Sequence, residues 1–256
     1  MNVGQMIGLL LALLFLSVST FTSWHLYRVW CRTRRAPELL MMIGLLGVGP
    51  LGFGPSLVAE GVQATSPETS ALLRILGMFG VSVGAIGFTC FTQVVFRTQA
   101  GWARTLVFVV ALGFAALMIQ TVLDYRATGS DRIDPAMLAR GVLLSLIWGW
   151  MGVECLRYRT IMRRRLALGL ADPVVVNRFA LWALVSIGSV VINTFGTVMG
   201  VRAGANAMDD ELVVIVTGAI GMIDSVGIYL AFLPPRRYEA WIRRIAATGS
   251  PTTKTT

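Results

Sequence analysis

Apolar residues run through this chain in long blocks, and short polar stretches punctuate them. The blocks fall near 4–27, 38–59, 69–95, 104–123, 137–158, 177–200 and 211–233. A run of roughly 18 or more apolar residues is long enough to cross the hydrocarbon core of a bilayer as a helix. The pattern predicts an all-α polytopic membrane protein with seven transmembrane spans. The punctuation agrees with it. Ser66-Pro67, Asp134-Pro135 and Asp172-Pro173 each put a capping side chain just before a proline in a first helical turn. Pro37 opens the second span, and Pro234-Pro235 closes the seventh because proline cannot continue the hydrogen-bond ladder. The first block has no basic residue before Arg28, unlike a secretory signal, so it is expected to be retained.

After the seventh span the period changes. In RRYEAWIRRIAA, residues 236–247, the apolar side chains Tyr238, Trp241, Ile242 and Ile245 fall at i, i+3, i+4 and i+7. That is one face of a helix, set among Arg236, Arg237, Arg243 and Arg244. Such a helix lies on a membrane surface, and a docking site for a partner protein uses the same pattern. Residues 248–256 are polar and are expected to form a disordered tail. The organisation is thus a membrane domain over 1–235, an interfacial helix over 236–247 and a tail.

Composition repeats the message: 55% of the 256 residues are hydrophobic and 14% charged, against about 25% charged in soluble domains. Charge adds orientation. Of the 22 Lys and Arg residues, 17 lie in 28–36, 97–104, 157–178 and 235–256. Only Arg74, Arg126, Arg132, Arg140 and Arg202 lie at the other ends of the spans, with Glu60, Glu68, Asp124, Asp131, Asp134, Asp209, Asp210 and Glu211. Basic loops mark the cytoplasmic side. The N-terminus is therefore expected outside and the C-terminus in the cytoplasm, in a cell inner membrane. Read this way, the net charge of +9 is a topology signal and an attraction to anionic lipid headgroups, and nucleic acid is not an expected partner. Arg163, Arg164, Arg165, Arg236, Arg237, Trp241, Arg243 and Arg244 are the expected lipid or partner contacts.

Scarcity excludes more than abundance. The chain has one lysine, Lys254, and one histidine, His25. A retinal Schiff base needs a membrane lysine, and zinc or bis-histidine haem sites need several histidines. An aspartyl intramembrane protease needs two facing aspartates, and only Asp224 is central. No catalytic residue, metal or cofactor is expected. Cys31, Cys90 and Cys155 lie toward the basic side, so no disulfide framework is expected.

Ionisable groups at membrane depth are costly and are functional candidates for that reason. Asp224, in the seventh span, reads either as a ligand or proton-coupling site or as an interhelical hydrogen bond. Asn193 in the sixth span reads in the same two ways. In the second span, GLLGVGPLGFGP places Pro50 among five glycines. It predicts an interrupted helix, hence a cavity edge, a hinge or a close packing face. Gly80-x-Ser82-x-Gly84 matches a hydrolase motif but lacks its strand-to-helix elbow, and it reads as small residues on a packing face. His25, Gln93 and Glu154 share a depth near the basic side and form a candidate polar cluster. Glu154 can equally pair with Arg157 or Tyr158 one turn on. The glycine faces can pack within one chain or between copies, so a homo-oligomer is open.

Three stretches, RRAPELL at 34–40, RRRLALGLADPVVVNRF at 163–179 and FLPPRRYEAWIRR at 232–244, resemble a group of bacterial seven-helix membrane proteins of unknown role. The plan also resembles the seven-helix sensor regions that precede signalling domains in bacteria. The first resemblance brings no activity and no catalytic residue, and the second is one of plan only; the expectation set beside them is a non-enzymatic, sensor-like protein that holds a small ligand in its bundle. With no kinase, cyclase or phosphatase domain in the chain, its signal is expected to pass to a cytoplasmic partner. The expected ligand site lies among the second, third, sixth and seventh spans, at Pro50, Asn193 and Asp224. The alternative is a small-solute carrier. Trp and Arg recur at the ends of spans one and five, and of three and seven, which suggests a 3+1+3 repeat with Asp224 coupling protons.

Overall fold

The computed structural model describes residues 3–128, 135–203 and 211–248. Asp131, Arg132, Asp134, Asp209, Asp210 and the tail from 249 lie outside them. The helices are α1 (Val3–Thr33), α2 (Ala36–Val48), α3 (Gly54–Val62), α4 (Pro67–Phe96), α5 (Gly101–Thr128), α6 (Pro135–Ala167), α7 (Pro173–Ala203), α8 (Glu211–Phe232) and α9 (Arg236–Thr248). A π-helical turn, Gly49–Phe53, joins α2 to α3, and the three together make the second span. No strand occurs among the described residues. Among the described residues, seven spans are long and apolar enough to cross a membrane, so the chain is a multi-pass membrane protein. Thr248 closes α9, one residue into the expected tail.

The spans close a ring. α1 packs on α2 and α8, α2 and α3 pack on α4, and α4 packs on α5 and α6. α6 packs on α7, and α7 on α8. The core is filled where these faces meet, with Phe88 against Trp148 at 4.7 Å between ring centres and with Met41, Phe114, Met151 and Val185 fully buried. Outward, Phe108, Leu112, Ile119, Leu146 and Val153 are all more than half exposed. Contiguous apolar surface of this kind is foreign to a water-soluble exterior and suits lipid.

The second span shows why its glycines are there. A Cβ on Gly84 would lie 2.6 Å from the Val48 nitrogen, and one on Gly47 would lie 2.5 Å from the Gly84 Cα. The two backbones touch along a seam that includes Gly80 against the Leu51 carbonyl. Pro50 lacks an N–H and crowds the carbonyl one turn back. The chain responds by widening to a π turn, in which the Gly54 N–H donates to the Gly49 carbonyl. The expected interruption is present, and it sits against α4 and against Ser19 of α1. Ser82 donates to the Met78 carbonyl at 2.8 Å within its own helix, so Gly80 and Gly84 frame a packing face.

The turns also follow from local chemistry. α6 stops where Gly169 takes φ of +72°. Arg34 holds the left-handed position after α1 at φ of +54°. Its N–H donates to the Trp30 carbonyl at 2.7 Å and its guanidinium lies over the Trp30 ring. Asp172 caps α7 as expected, accepting the Val174 N–H at 2.9 Å. Ser66 departs from expectation: its hydroxyl meets the Thr69 hydroxyl at 2.7 Å and makes no bond to the helix backbone.

Candidate functional site

Asp224 is buried on α8, with Ser225 beside it. It fits there because α7 presents a glycine: a Cβ on Gly188 would lie 2.9 Å from the Asp224 Cγ and closer still to Oδ1. The next residue of α7, Ser189, donates its hydroxyl to Asp224 Oδ2 at 3.4 Å. The second oxygen, Oδ1, is buried and has no hydrogen-bond partner. One turn further along α7, Asn193 Nδ2 donates to the Ser189 carbonyl at 2.8 Å. Asn193 thus bonds its own helix and does not reach across to α8.

The expected grouping of Pro50, Asn193 and Asp224 does not form. α1 stands between the second span and α8, so Pro50 belongs to the α1–α4 side of the ring while Asp224 belongs to the α7–α8 pair. An apolar hollow of about 210 Å³ opens between α7 and α8, lined by Leu181, Leu184, Met222, Val226 and Leu230. Its wall also includes Ile223, the residue before Asp224. A shallower one lies along α1 at Leu13, Leu16 and Phe21.

Glu154 is buried on α6 and takes a partner that local spacing does not suggest. Arg97, just past the end of α4, donates Nε to Glu154 Oε1 at 2.6 Å. Trp150 Nε1 donates to the same oxygen at 3.4 Å. The Arg97 guanidinium also lies over the Trp102 ring, which packs against Trp150 at 5.7 Å. Glu154 therefore does not pair with Arg157 or Tyr158 one turn on: it is buried, and the cation that meets it comes from the end of α4. His25 and Gln93 do not join by hydrogen bonds. α1 packs on α2 and α8, and Gln93 contributes its backbone carbonyl, which accepts the Arg97 N–H at 2.9 Å.

One further charge escaped sequence reasoning. Arg140 reads as a boundary arginine, yet it is buried. It donates to Thr121 Oγ1 at 3.1 Å on α5 and to the Met78 sulfur at 3.0 Å on α4. Its position a full turn inside α6, after Pro135, was the available signal.

α9 does not float free. Asn177 Nδ2 of α7 donates to the Tyr238 hydroxyl at 2.8 Å, and Arg243 Nη2 donates to Asp172 Oδ2 at 3.3 Å. The Val174 N–H, with help from Arg243, holds the Asp172 carboxyl below the usual carboxylate range. Trp241 and Ile245 stay about half exposed. Arg163, Arg164, Arg165, Arg236, Arg237, Arg243 and Arg244 are all exposed.

Among the described residues no three His, Cys, Asp or Glu side chains stand close enough to hold a metal. No family model matches the chain, and no curated protein or solved structure matches it.

Proposed function

We propose that the chain is a receptor-like membrane protein with no catalytic step of its own. A small ligand with an apolar body and a hydrogen-bond donor or positive charge enters between α7 and α8. The resulting shift passes to α9 and from there to a cytoplasmic partner. The observation that carries this reading is Asp224: a buried carboxyl with one oxygen unpartnered, in the helix pair that also holds α9. A carboxyl group at such depth needs a proton, a cation or a donor, and an open apolar groove that Asp224 itself does not line runs along the outer face of the same helix pair at Ile223 and Val226.

The route outward is short. α8 ends at Phe232 and α9 begins at Arg236. α9 is then fastened back to the start of α7 through Asp172 and Asn177. The three helices make a closed loop, so sliding of α8 on α7 strains or frees α9. The arginine asymmetry supports an outside N-terminus, a cytoplasmic C-terminus and residence in an inner membrane. The carrier reading calls for matching breaks in both halves. α7 runs unbroken from Pro173 to Ala203, so the receptor reading is preferred.

Native mass spectrometry of protein extracted in its own lipid tests this. The wild type is expected to carry a small molecule that Asp224→Asn loses. Equal retention by both would place the ligand elsewhere. Uptake driven by a pH gradient and abolished in Asp224→Asn would favour the carrier.

A further inference from the structure

We propose that α9 is a headgroup-binding element that rests on an anionic phospholipid surface through Trp241 and Ile245. The proposal does not depend on the ligand assigned to Asp224. Both ends of α9 are tied to the ends of spans. Only residues 233–235 separate Arg236 from the end of α8, a link that reaches at most about 14 Å. Leu233 shortens it by donating its N–H to the Tyr229 carbonyl at 2.8 Å. Further along, Arg243 meets Asp172, the residue just before α7 begins. A helix anchored twice at the boundary lies along it and does not project from it.

The two apolar pairs of α9 then divide their work. Tyr238 and Ile242 are partly covered, and Tyr238 accepts the Asn177 hydrogen bond. Trp241 and Ile245, four residues apart and so on one stripe, are left about half exposed. Arg236, Arg237 and Arg244 are exposed around that stripe. An indole and an isoleucine set among arginines match the hydrocarbon–headgroup boundary of a bilayer, where apolar side chains enter and guanidinium groups meet phosphate. Leu168 and Leu170 are also exposed, in the turn that leads to Asp172.

Hydrogen exchange on the full-length protein in nanodiscs tests the proposal. Discs of phosphatidylcholine alone are compared with discs holding about 30% phosphatidylglycerol. Amides of 236–248 are expected to exchange about tenfold more slowly in the anionic discs. The triple variant Arg236→Gln, Arg237→Gln, Arg244→Gln is expected to lose that difference, since these residues supply the attraction to the anionic surface. Trp241→Ala with Ile245→Ala is expected to speed exchange in both discs. Exchange of α6 and α7 serves as the folding control. Equal exchange in the two discs for the wild type would overturn the proposal. So would protection that appears only when a soluble protein partner is added.

Discussion

Gly188 and Asp224 are a matched pair, and each explains the other. A methyl at 188 has no room beside the carboxyl, so Gly188→Ala is expected to cost about 1–3 kcal/mol of stability. Adding Asp224→Ala should return most of it, because the colliding group is gone. Thermal unfolding in detergent measures this, and additive losses would refute the contact. Arg97 and Glu154 test a different cost. Removing only the cation leaves a buried carboxylate uncompensated, and because Arg97 is itself partly exposed the loss falls below the roughly 3–5 kcal/mol of a fully buried pair. Arg97→Ala should therefore be less stable than Arg97→Ala with Glu154→Gln. Asp172 gives a pH prediction. Its folded value lies below its unfolded one, so its contribution is fully present above the unfolded value of about 3.9 and is lost as pH falls through the folded value. The cap and the Arg243 tie should hold at neutral pH and weaken only in acid. Both partners are about half exposed, so the tie is worth well under about 1 kcal/mol, and exchange of α9 below pH 4 is the sensitive readout.

The second span and α4 form a unit in which small size is the working property. Gly47→Leu or Gly84→Leu would drive a side chain into facing backbone. Either is expected to prevent the two helices from closing, seen as loss of folded yield, whereas Leu51→Ala on the exposed side should be tolerated. This level was largely legible from sequence. Lipid demands continuous apolar runs, so the spans stand out. Pro37, Pro50 and Pro234 act through a missing N–H that needs no tertiary context, so the ends and the site of the interruption do too, though not its form as a π turn. What escaped depends on which faces meet. Glu154 had two readings, a cluster with His25 and Gln93 or a partner one turn away, yet its cation, Arg97, lies 57 residues earlier. Pro50 and Asp224 were expected to share a cavity, and only the order of helices in the ring, with α1 between them, shows otherwise. Arg140 looked like a boundary charge because its inward neighbours, Met78 and Thr121, are on other helices.

As a whole, the described residues form a ring of seven spans in which, Arg140 apart, the buried charges lie at two separated places. One is the pair of partly exposed Arg97 and buried Glu154 near the basic end, which ties the end of α4 to α6. The other is the α7–α8–α9 loop, where a lone carboxyl sits deep and a basic surface helix sits shallow. Labelling of introduced cysteines from either side of sealed vesicles should find positions near 126 outside and positions near 165 inside. The central claim is that these last three helices are coupled, so that a change in how α8 sits on α7 moves α9 relative to the start of α7. The measurement that addresses it most directly is the distance between spin labels at Leu170 and Ile245, both exposed, in the full-length protein in lipid. The account predicts that Asp224→Asn or Gly188→Ala shifts or broadens that distance by several ångströms, while a control pair on α4 and α5 stays unchanged. A distribution identical to that of the wild type in both variants would contradict it.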